Sequence, residues 1–188
     1  MLRLIVGLGK PGQQYERTRH NVGFWFVDRL ASQCSASWVA EKKFQGRVAS
    51  IELGKQKIQL LKPETFMNLS GQSVNALMKY FEVDSAGCLV VHDELDFEPG
   101  IVRLKQGGGH GGHNGLRSII ACIGSPEFAR LRIGIGRPKT KQAVADYVLA
   151  APDKIEFKEI NAAFDSVFQN LESLVTSDFE LLMRKIHI

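Results

Sequence analysis

The chain has 188 residues, of which 44% are hydrophobic and 23% are charged, and a formal net charge of +4, so we expect one globular domain over residues 1–188. No apolar run approaches the roughly 18 residues needed to cross a membrane, and the N-terminus lacks the pattern of a secretory signal, so we expect neither a membrane protein nor a secreted one. The chain has an odd number of cysteines, and they are far apart: Cys34, Cys88 and Cys122. This pattern predicts a reduced, cytoplasmic protein, with each cysteine in apolar surroundings.

Strand-like apolar runs alternate with helical spacings along the chain, which is typical of an α/β fold with helices packed on a sheet. Two runs joined through Gly54 predict a β-hairpin whose second strand ends at Pro63, and Ser70 is the expected N-cap of a helix. The expected strands are 2–7, 44–53, 57–61, 88–92, 102–104 (an edge strand) and 131–136, and the expected helices are 22–34, a helix after Ser70, 116–123, 142–149 and an apolar stripe over 153–175.

The loop after the first strand reads Gly-Leu-Gly-Lys-Pro-Gly at residues 7–12 and matches the G-x-G-x-x-G pattern of dinucleotide-binding proteins. Pro11 removes a backbone donor that a pyrophosphate would need, and the next helix is expected only near Val22. No acidic residue follows at the distance expected for a ribose ligand. We therefore expect no nicotinamide or flavin cofactor, and interpret the longer loop from Gly9 to Asn21 as the carrier of His20 and Asn21.

Residues 107–115 read Gly-Gly-Gly-His-Gly-Gly-His-Asn-Gly, so six of these nine residues are glycine. Glycine lets the backbone adopt positive φ angles and lie close to a ligand, at an entropic cost that a simple connector does not require. A flexible linker is the alternative interpretation. We expect a rigid loop that presents His113 and Asn114 just before a helix.

Positive charge is concentrated around this glycine-rich loop. Residues 101–141 contain eight Lys or Arg residues and one acid, Glu127. A solvated surface is the ordinary explanation of such charge, but its position beside the loop favours a polyanionic ligand.

Three groups of polar side chains lie in loops or directly after predicted strands, where sites gather in α/β proteins: His20 with Asn21, Asn68 with Asp93, and His113 with Asn114. If these segments converge, one imidazole can act as a base, the carboxylate can orient it, and the two amides can bind and polarise a substrate. Ser70 is better used as a helix cap, and a thiolate is disfavoured in apolar runs. The set therefore predicts direct attack of water on an ester.

A metal-dependent hydrolase is one alternative, because five side chains could supply ligands: His20, His92, Asp93, His110 and His113. However, His110 and His113 are separated by two glycines in a loop, and the chain has no H-E-x-x-H motif, so we expect no metal. A second alternative is a non-catalytic RNA-binding module that uses the basic segment.

Six short motifs follow one another along the chain. They are residues 7–12, 18–21 (Thr-Arg-His-Asn), 66–71 (Phe-Met-Asn-Leu-Ser-Gly), 92–96 (His-Asp-Glu-Leu-Asp), 107–115 and 130–134 (Arg-Leu-Arg-Ile-Gly). Together, and in this order, they resemble the bacterial peptidyl-tRNA hydrolase family. The resemblance implies a mixed, twisted β-sheet flanked by α-helices, a monomer that needs no metal or organic cofactor, and cleavage of the ester between a peptide and the 3′ end of tRNA.

The same resemblance implies roles for the residues at motif positions. His20 would be the general base and Asp93 its partner, while Asn68 and Asn114 would hold the ester and the attacking water. Two further sets are implied, namely substrate-groove residues (Tyr15, Phe66, Met67 and His113) and tRNA phosphate contacts (Arg103, Lys105 and Arg132). Taken alone, Phe66 and Met67 are explained equally well as core residues.

Lys10 departs from the family, which usually has Asn at this position, one associated with distinguishing N-blocked peptidyl-tRNA from free aminoacyl-tRNA. We hypothesise that the Lys10 ammonium repels the cationic α-amino group of an unblocked substrate, a like-charge penalty that a neutral amide lacks. Alternatively, the side chain points to solvent or toward a phosphate.

Overall fold

The computed structural model describes residues 1–140 and 143–186, which contain a seven-stranded mixed β-sheet. The strands are β1 (Leu4–Gly7), β2 (Val39–Glu41), β3 (Gly46–Leu53), β4 (Gln56–Pro63), β5 (Cys88–Glu94), β6 (Val102–Gln106) and β7 (Ala129–Gly134). Their order across the sheet is β2-β3-β4-β1-β5-β7-β6. The four central strands β4, β1, β5 and β7 run parallel, whereas the pairs β2-β3, β3-β4 and β6-β7 are antiparallel.

Helices cover both faces of the sheet. They are α1 (Val22–Gln33), α2 (Ser70–Tyr80), α3 (Asn114–Ile123), α4 (Val144–Val148), α5 (Lys154–Phe168), α6 (Leu171–Val175) and α7 (Phe179–Ile186). One hydrophobic core joins the sheet to α1 and α5 through residues such as Phe26 and Phe164, and a second joins the other face to α2 and α3 through Leu77 and Ile119. Within the described part of the chain, every helix is too short or too polar to cross a membrane.

The central strands β1 and β5 are buried on both faces, which explains why their sequences are continuous apolar runs rather than alternating patterns. Because β4, β1, β5 and β7 are parallel, their carboxyl ends meet at the same edge of the sheet. Loops that follow these strands therefore gather at one edge, as the sequence predicted for the polar residues.

Most predicted elements are confirmed, with shifts of a few residues at their ends. The hairpin forms β3 and β4, Pro63 ends β4, and β6 lies at the edge of the sheet. Helix α3 begins at Asn114, earlier than expected, and the stripe over 153–175 is divided between α5 and α6. Strand β2 and helix α7 were not predicted. Gln142, the expected start of α4, and Lys141, one of the eight basic residues, lie outside the described residues.

Two local predictions are wrong. Ser70 does not cap α2, because Leu69 occupies the N-cap position and the Ser70 hydroxyl donates to the carbonyl oxygen of Met67 at 2.8 Å. The hydroxyl therefore closes the single 3-10 turn that precedes the helix. All three cysteines are free, but Cys122 is exposed on α3 rather than enclosed by apolar residues, since it lies on the outer side of an amphipathic helix.

Gly23, in the first turn of α1, determines how closely this helix approaches the sheet. A Cβ atom at this position would lie 2.5 Å from the carbonyl oxygens of Leu8 and Val91, far inside van der Waals contact. Only glycine therefore lets α1 begin against the carboxyl ends of β1 and β5. This close approach brings the residues that precede α1 next to those that end β5.

Candidate active site

A histidine and an aspartate meet where the start of α1 contacts the end of β5. His20 lies in a single 3-10 turn (Arg19–Asn21) that leads into α1, and Asp93 is the second-last residue of β5. Nδ1 of His20 lies 3.0 Å from Oδ1 and 3.0 Å from Oδ2 of Asp93. The Asp93 side chain is 4% exposed, whereas that of His20 is 16% exposed. The structure therefore brings together two residues that are 73 positions apart.

His113 places a second imidazole on the same carboxylate. Its Nδ1 accepts hydrogen bonds from the backbone N–H groups of Gly115 at 3.1 Å and Leu116 at 3.4 Å, so the proton of the neutral ring is on Nε2. Nε2 donates to Oδ1 of Asp93 at 2.9 Å. The sequence predicted His113 at the border of the site but not its bond to Asp93, which follows from its position as the N-cap of α3.

Burial and the charge of neighbouring groups shift the pKa values of His20 and Asp93 in opposite directions. For His20, burial lowers the pKa, the charge of Asp93 and the hydrogen bond to it raise the pKa, and the charge of Lys10 lowers it, with a net rise above the ordinary value of 6.5. For Asp93, burial alone would raise the pKa, but the charges of His20 and His113 and the hydrogen bonds to both hold it far below its usual range. Asp93 is therefore a carboxylate at neutral pH, and it keeps the His20 proton on Nδ1, so Nε2 of the neutral ring carries no proton.

His92 lies under the cluster and supports it. The residue is 2% exposed, and its Nδ1 donates to the backbone oxygen of Asp93 at 2.8 Å. Burial, with a smaller effect of His113, lowers the pKa of His92 to about 3, so the ring is neutral. Its ring contacts the His113 ring edge-on, with 5.0 Å between centroids, and this contact helps to fix His113.

His20, Asp93 and His113 also form a possible metal-ligand group, since their ligand atoms lie within 4.8 Å of one another. The same atoms already form the hydrogen bonds described above, so an ion would have to replace the protons on both ring nitrogens. Of the other two candidate ligands, His92 is bonded to the backbone of Asp93, and Nδ1 of His110 accepts from the N–H of Gly112 at 3.0 Å. The arrangement favours a hydrogen-bonded cluster over a metal centre.

The cluster lines an open cleft of about 870 Å³. Phe66 is 72% exposed and Met67 is 9% exposed, so the first is a wall of the cleft and the second is mainly a core residue that reaches its surface. Asn68 and Asn114 are exposed on the segments that begin α2 and α3. The predicted site residues that line the cleft are Lys10, His20, Phe66, Met67, Asn68, Asp93, Lys105, His113, Asn114 and Arg132.

Lys10 lies at the border of the cleft, with Tyr15 behind it. Nζ of Lys10 is 4.1 Å from the centroid of the Tyr15 ring, which is a cation–π contact. The Asn21 side chain accepts from the Lys10 N–H at 2.6 Å and donates to the Lys10 carbonyl oxygen at 3.0 Å. Tyr15 is therefore a support for the Lys10 ammonium and is not among the residues that line the cleft.

Strands β6 and β7 carry basic side chains beside the cleft. Arg103 is opposite Arg132 in the register of the two strands, and Lys105 lies two positions farther along β6. Lys105 is exposed and the two arginines are half-buried. Lys105 and Arg132 line the cleft, and Arg103 does not. We call Arg103, Lys105 and Arg132 the basic edge.

Arg130 was counted only as part of the basic segment, but it is 2% exposed and supports the glycine-rich loop. Its guanidinium donates to the carbonyl oxygens of Gly108 and Gly109, and to that of Pro126 at 3.2 Å. A planar guanidinium can hold several carbonyl groups at once, which a lysine ammonium does less well. The local sequence pattern does not indicate that Arg130 is buried, because the burial depends on contacts with the glycine-rich loop.

Arg19 was also missed as a structural residue. It is 10% exposed and lies next to His20, with Nη1 donating to the carbonyl oxygens of Tyr147 at 3.3 Å and Ala150 at 3.4 Å. Its Nη2 pairs with Glu156 at 2.8 Å. These bonds fasten the turn that carries His20 to the segment containing α4, which forms part of the cleft wall.

These features define an α/β protein of the hydrolase type, in which an imidazole held by a buried carboxylate faces a cleft bordered by basic residues. The family model described as peptidyl-tRNA hydrolase matches residues 4–188, so the chain belongs to the peptidyl-tRNA hydrolase family. The resemblance of the six motifs is thereby confirmed.

Individual relatives agree with this assignment. The chain is 52% identical over 188 residues to the peptidyl-tRNA hydrolase of Methylococcus capsulatus, covering 100% of both chains. It is 50% identical over 186 residues to that of Coxiella burnetii, covering 99% of this chain and 97% of the relative. A crystal structure of peptidyl-tRNA hydrolase from Acinetobacter baumannii has a TM-score of 0.94 and 43% identity, covering 99% of this chain and 94% of that chain.

We predict that Asp93→Asn lowers the pKa of His20, because the carboxylate that raises it is lost while burial and Lys10, which lower it, remain. The measurement is an NMR titration of the histidine ring protons. In the unchanged protein His20 should titrate above 6.5. The matched control is Asp96→Asn, which removes an exposed carboxylate paired with Arg137 and should leave the His20 titration in place. An unchanged His20 pKa in Asp93→Asn would contradict the electrostatic account.

Proposed function

We propose that this chain hydrolyses the ester between a peptide and the 3′ end of tRNA, with His20 as the general base and Asp93 as its partner. One observation carries the proposal: Nδ1 of His20 lies 3.0 Å from both oxygens of a buried carboxylate, beside a cleft with basic residues. Membership of the peptidyl-tRNA hydrolase family supports the same reaction.

The geometry favours direct attack by water. Nε2 of neutral His20 takes a proton from a water molecule while the water oxygen bonds to the ester carbonyl carbon. The imidazolium then donates that proton to the 3′ oxygen of the ribose as the carbon–oxygen bond breaks, which releases the peptide acid and the tRNA. Asp93 keeps the ring oriented and stabilises its positive charge, and a base held in this way contributes roughly 10²–10⁴ in rate.

Asn68 and Asn114 are suited to bind the reacting groups. Both are exposed on segments that line the cleft with His20. An amide N–H can stabilise the oxygen that becomes negative during attack, and an amide oxygen can accept a hydrogen bond from the attacking water. The exposed ring of Phe66 offers an apolar surface for the peptide, and His113 borders the reacting centre from its bond to Asp93.

The basic edge is suited to hold tRNA phosphates. Its three side chains are close together on neighbouring strands, and two of them line the cleft. Contacts of this kind release counterions, so affinity for tRNA should fall steeply as salt concentration rises. We further propose that the protein acts as a monomer in the cytoplasm, without a metal or an organic cofactor.

We predict that His20→Asn lowers kcat for an N-acetyl-aminoacyl-tRNA by roughly 10²-fold or more while the affinity for tRNA changes little, because the base is lost and the basic edge is intact. Hydrolysis of purified substrate and binding of deacylated tRNA are measured at several salt concentrations. The charge-reducing variant Lys105→Gln is the complementary control, since it should weaken binding and reduce its salt dependence.

Two results would contradict this assignment. A protein that binds tRNA without hydrolysing the ester, and whose binding is unaffected by His20→Asn, would be a non-catalytic RNA-binding module. Hydrolysis that a chelator abolishes and that added metal restores would replace the water-and-histidine mechanism with a metal-dependent one.

We predict that Lys10→Asn lowers the ratio of kcat/KM for N-blocked substrate to that for unblocked substrate. The reason is that a neutral amide replaces the ammonium that repels a cationic α-amino group. The same change should move the acid limb of the pH–rate profile to higher pH, since the charge of Lys10 lowers the pKa of His20. The assay compares kcat/KM for acetylated and free aminoacyl-tRNA across pH. An unchanged ratio would show that Lys10 has no part in discrimination.

A further inference from the structure

A second concavity, of about 450 Å³, lies beside the cleft, and we call it the side groove. Its lining includes Gln13, Phe24 and Trp25 from the first loop and α1, together with Arg47 and Lys62 from β3 and β4. Lys10 lines both the cleft and the side groove. The two concavities therefore meet at this residue, next to His20.

The order of the strands places the side groove on the far side of the catalytic pair from the basic edge. The basic edge is on β6 and β7, the pair lies at β5 and the start of α1, and Arg47 and Lys62 are on β3 and β4 beyond β1. In an ester of tRNA, the acyl group and the nucleic acid lie on opposite sides of the bond that breaks. If tRNA phosphates occupy the basic edge, the side groove is where the acyl side can continue.

The charges that line the two concavities agree with this division between nucleic acid and acyl group. The cleft is lined by six Lys or Arg and three Asp or Glu side chains. The side groove has three of each, and four of these form ion pairs, Lys62 with Asp28 at 2.5 Å and Arg47 with Glu64 at 3.0 Å. A neutral groove does not attract a polyanion, whereas it suits a peptide of mixed sequence.

The walls of the side groove are also ordered before a ligand arrives. Nε1 of Trp25 donates to the carbonyl oxygen of Glu16 at 2.7 Å, and its ring contacts Phe157 edge-on with 5.6 Å between centroids. The backbone of Lys10 is held at both N–H and C=O by Asn21. A fixed aromatic face beside paired polar groups binds a peptide with little ordering cost.

From this placement and charge, we propose that the side groove binds the residues of the substrate peptide that precede the ester-linked residue. The ester-linked residue lies at His20, its α-nitrogen faces Lys10, and the chain continues past Lys10 into the groove. This inference rests on the proposed hydrolysis of peptidyl-tRNA. It adds a binding site that recognises peptide length beyond the first residue.

The test compares two substrates on the same tRNA, one with a single acetylated residue and one with an acetylated peptide of four residues. Gln13→Trp fills the groove from an exposed position, and Gln14→Trp is the matched control, since Gln14 is equally exposed but does not line the groove. We expect Gln13→Trp to lower kcat/KM for the longer substrate about fivefold or more and to leave the shorter one within about twofold. Gln14→Trp should change neither.

A charge variant provides an independent readout. Arg47→Glu makes the groove lining net negative, so the ratio of kcat/KM for a peptide with upstream lysines to one with upstream glutamates should rise about threefold or more. Equal losses for short and long substrates in Gln13→Trp, or an unchanged ratio in Arg47→Glu, would overturn the proposal. Weaker binding of deacylated tRNA by Gln13→Trp would assign the groove to RNA and would also overturn it. Absence of hydrolysis of either substrate by the unchanged protein would instead refute the proposed function.

Discussion

The site depends on one buried carboxylate that accepts hydrogen bonds from two imidazoles. A carboxylate removed from water without partners would cost several kcal/mol, so Asp93 is stable in the core only because His20 and His113 reach it. The same bonds determine where each ring carries its proton. The backbone N–H groups that begin α3 fix the His113 proton on Nε2, and Asp93 fixes that of His20 on Nδ1. The same hydrogen bonds therefore hold these side chains in place and determine which ring nitrogen of each histidine carries the proton.

The strand order of the sheet determines which residues lie on each side of this carboxylate. Because β1 and β5 are parallel, their carboxyl ends lie at the same edge of the sheet, and Gly23 lets α1 begin there. Buried arginines then hold two segments that border the site, with Arg130 bonded to the glycine-rich loop and Arg19 bonded to the segment around α4. Basic residues lie toward β6 and β7, and neutral, paired charges lie toward β3 and β4. This polarity matches a substrate that is nucleic acid at one end and peptide at the other.

The sequence predicted six of the seven strands described, most helices and the candidate site, because these features depend on local patterns. Apolar runs mark the buried strands, and the position of Asp93 directly after such a run predicted its place at the sheet edge. The bond from His113 to Asp93 and the burial of Arg130 were not predicted, because both arise from contacts between segments distant in the chain. Ser70 was misassigned for a similar reason, since a cap and an internal turn bond have the same local signature.

The most direct measurement of the central claim is the ring tautomer of each histidine, observed by NMR correlation of imidazole nitrogens and protons at a pH where His20 is neutral. The account predicts a proton on Nδ1 of His20 and on Nε2 of His113. Nε2 of His20 is then free to accept a proton from water. A neutral His20 with its proton on Nε2 would contradict the account, because the ring could neither donate to Asp93 through Nδ1 nor act as the base toward the cleft.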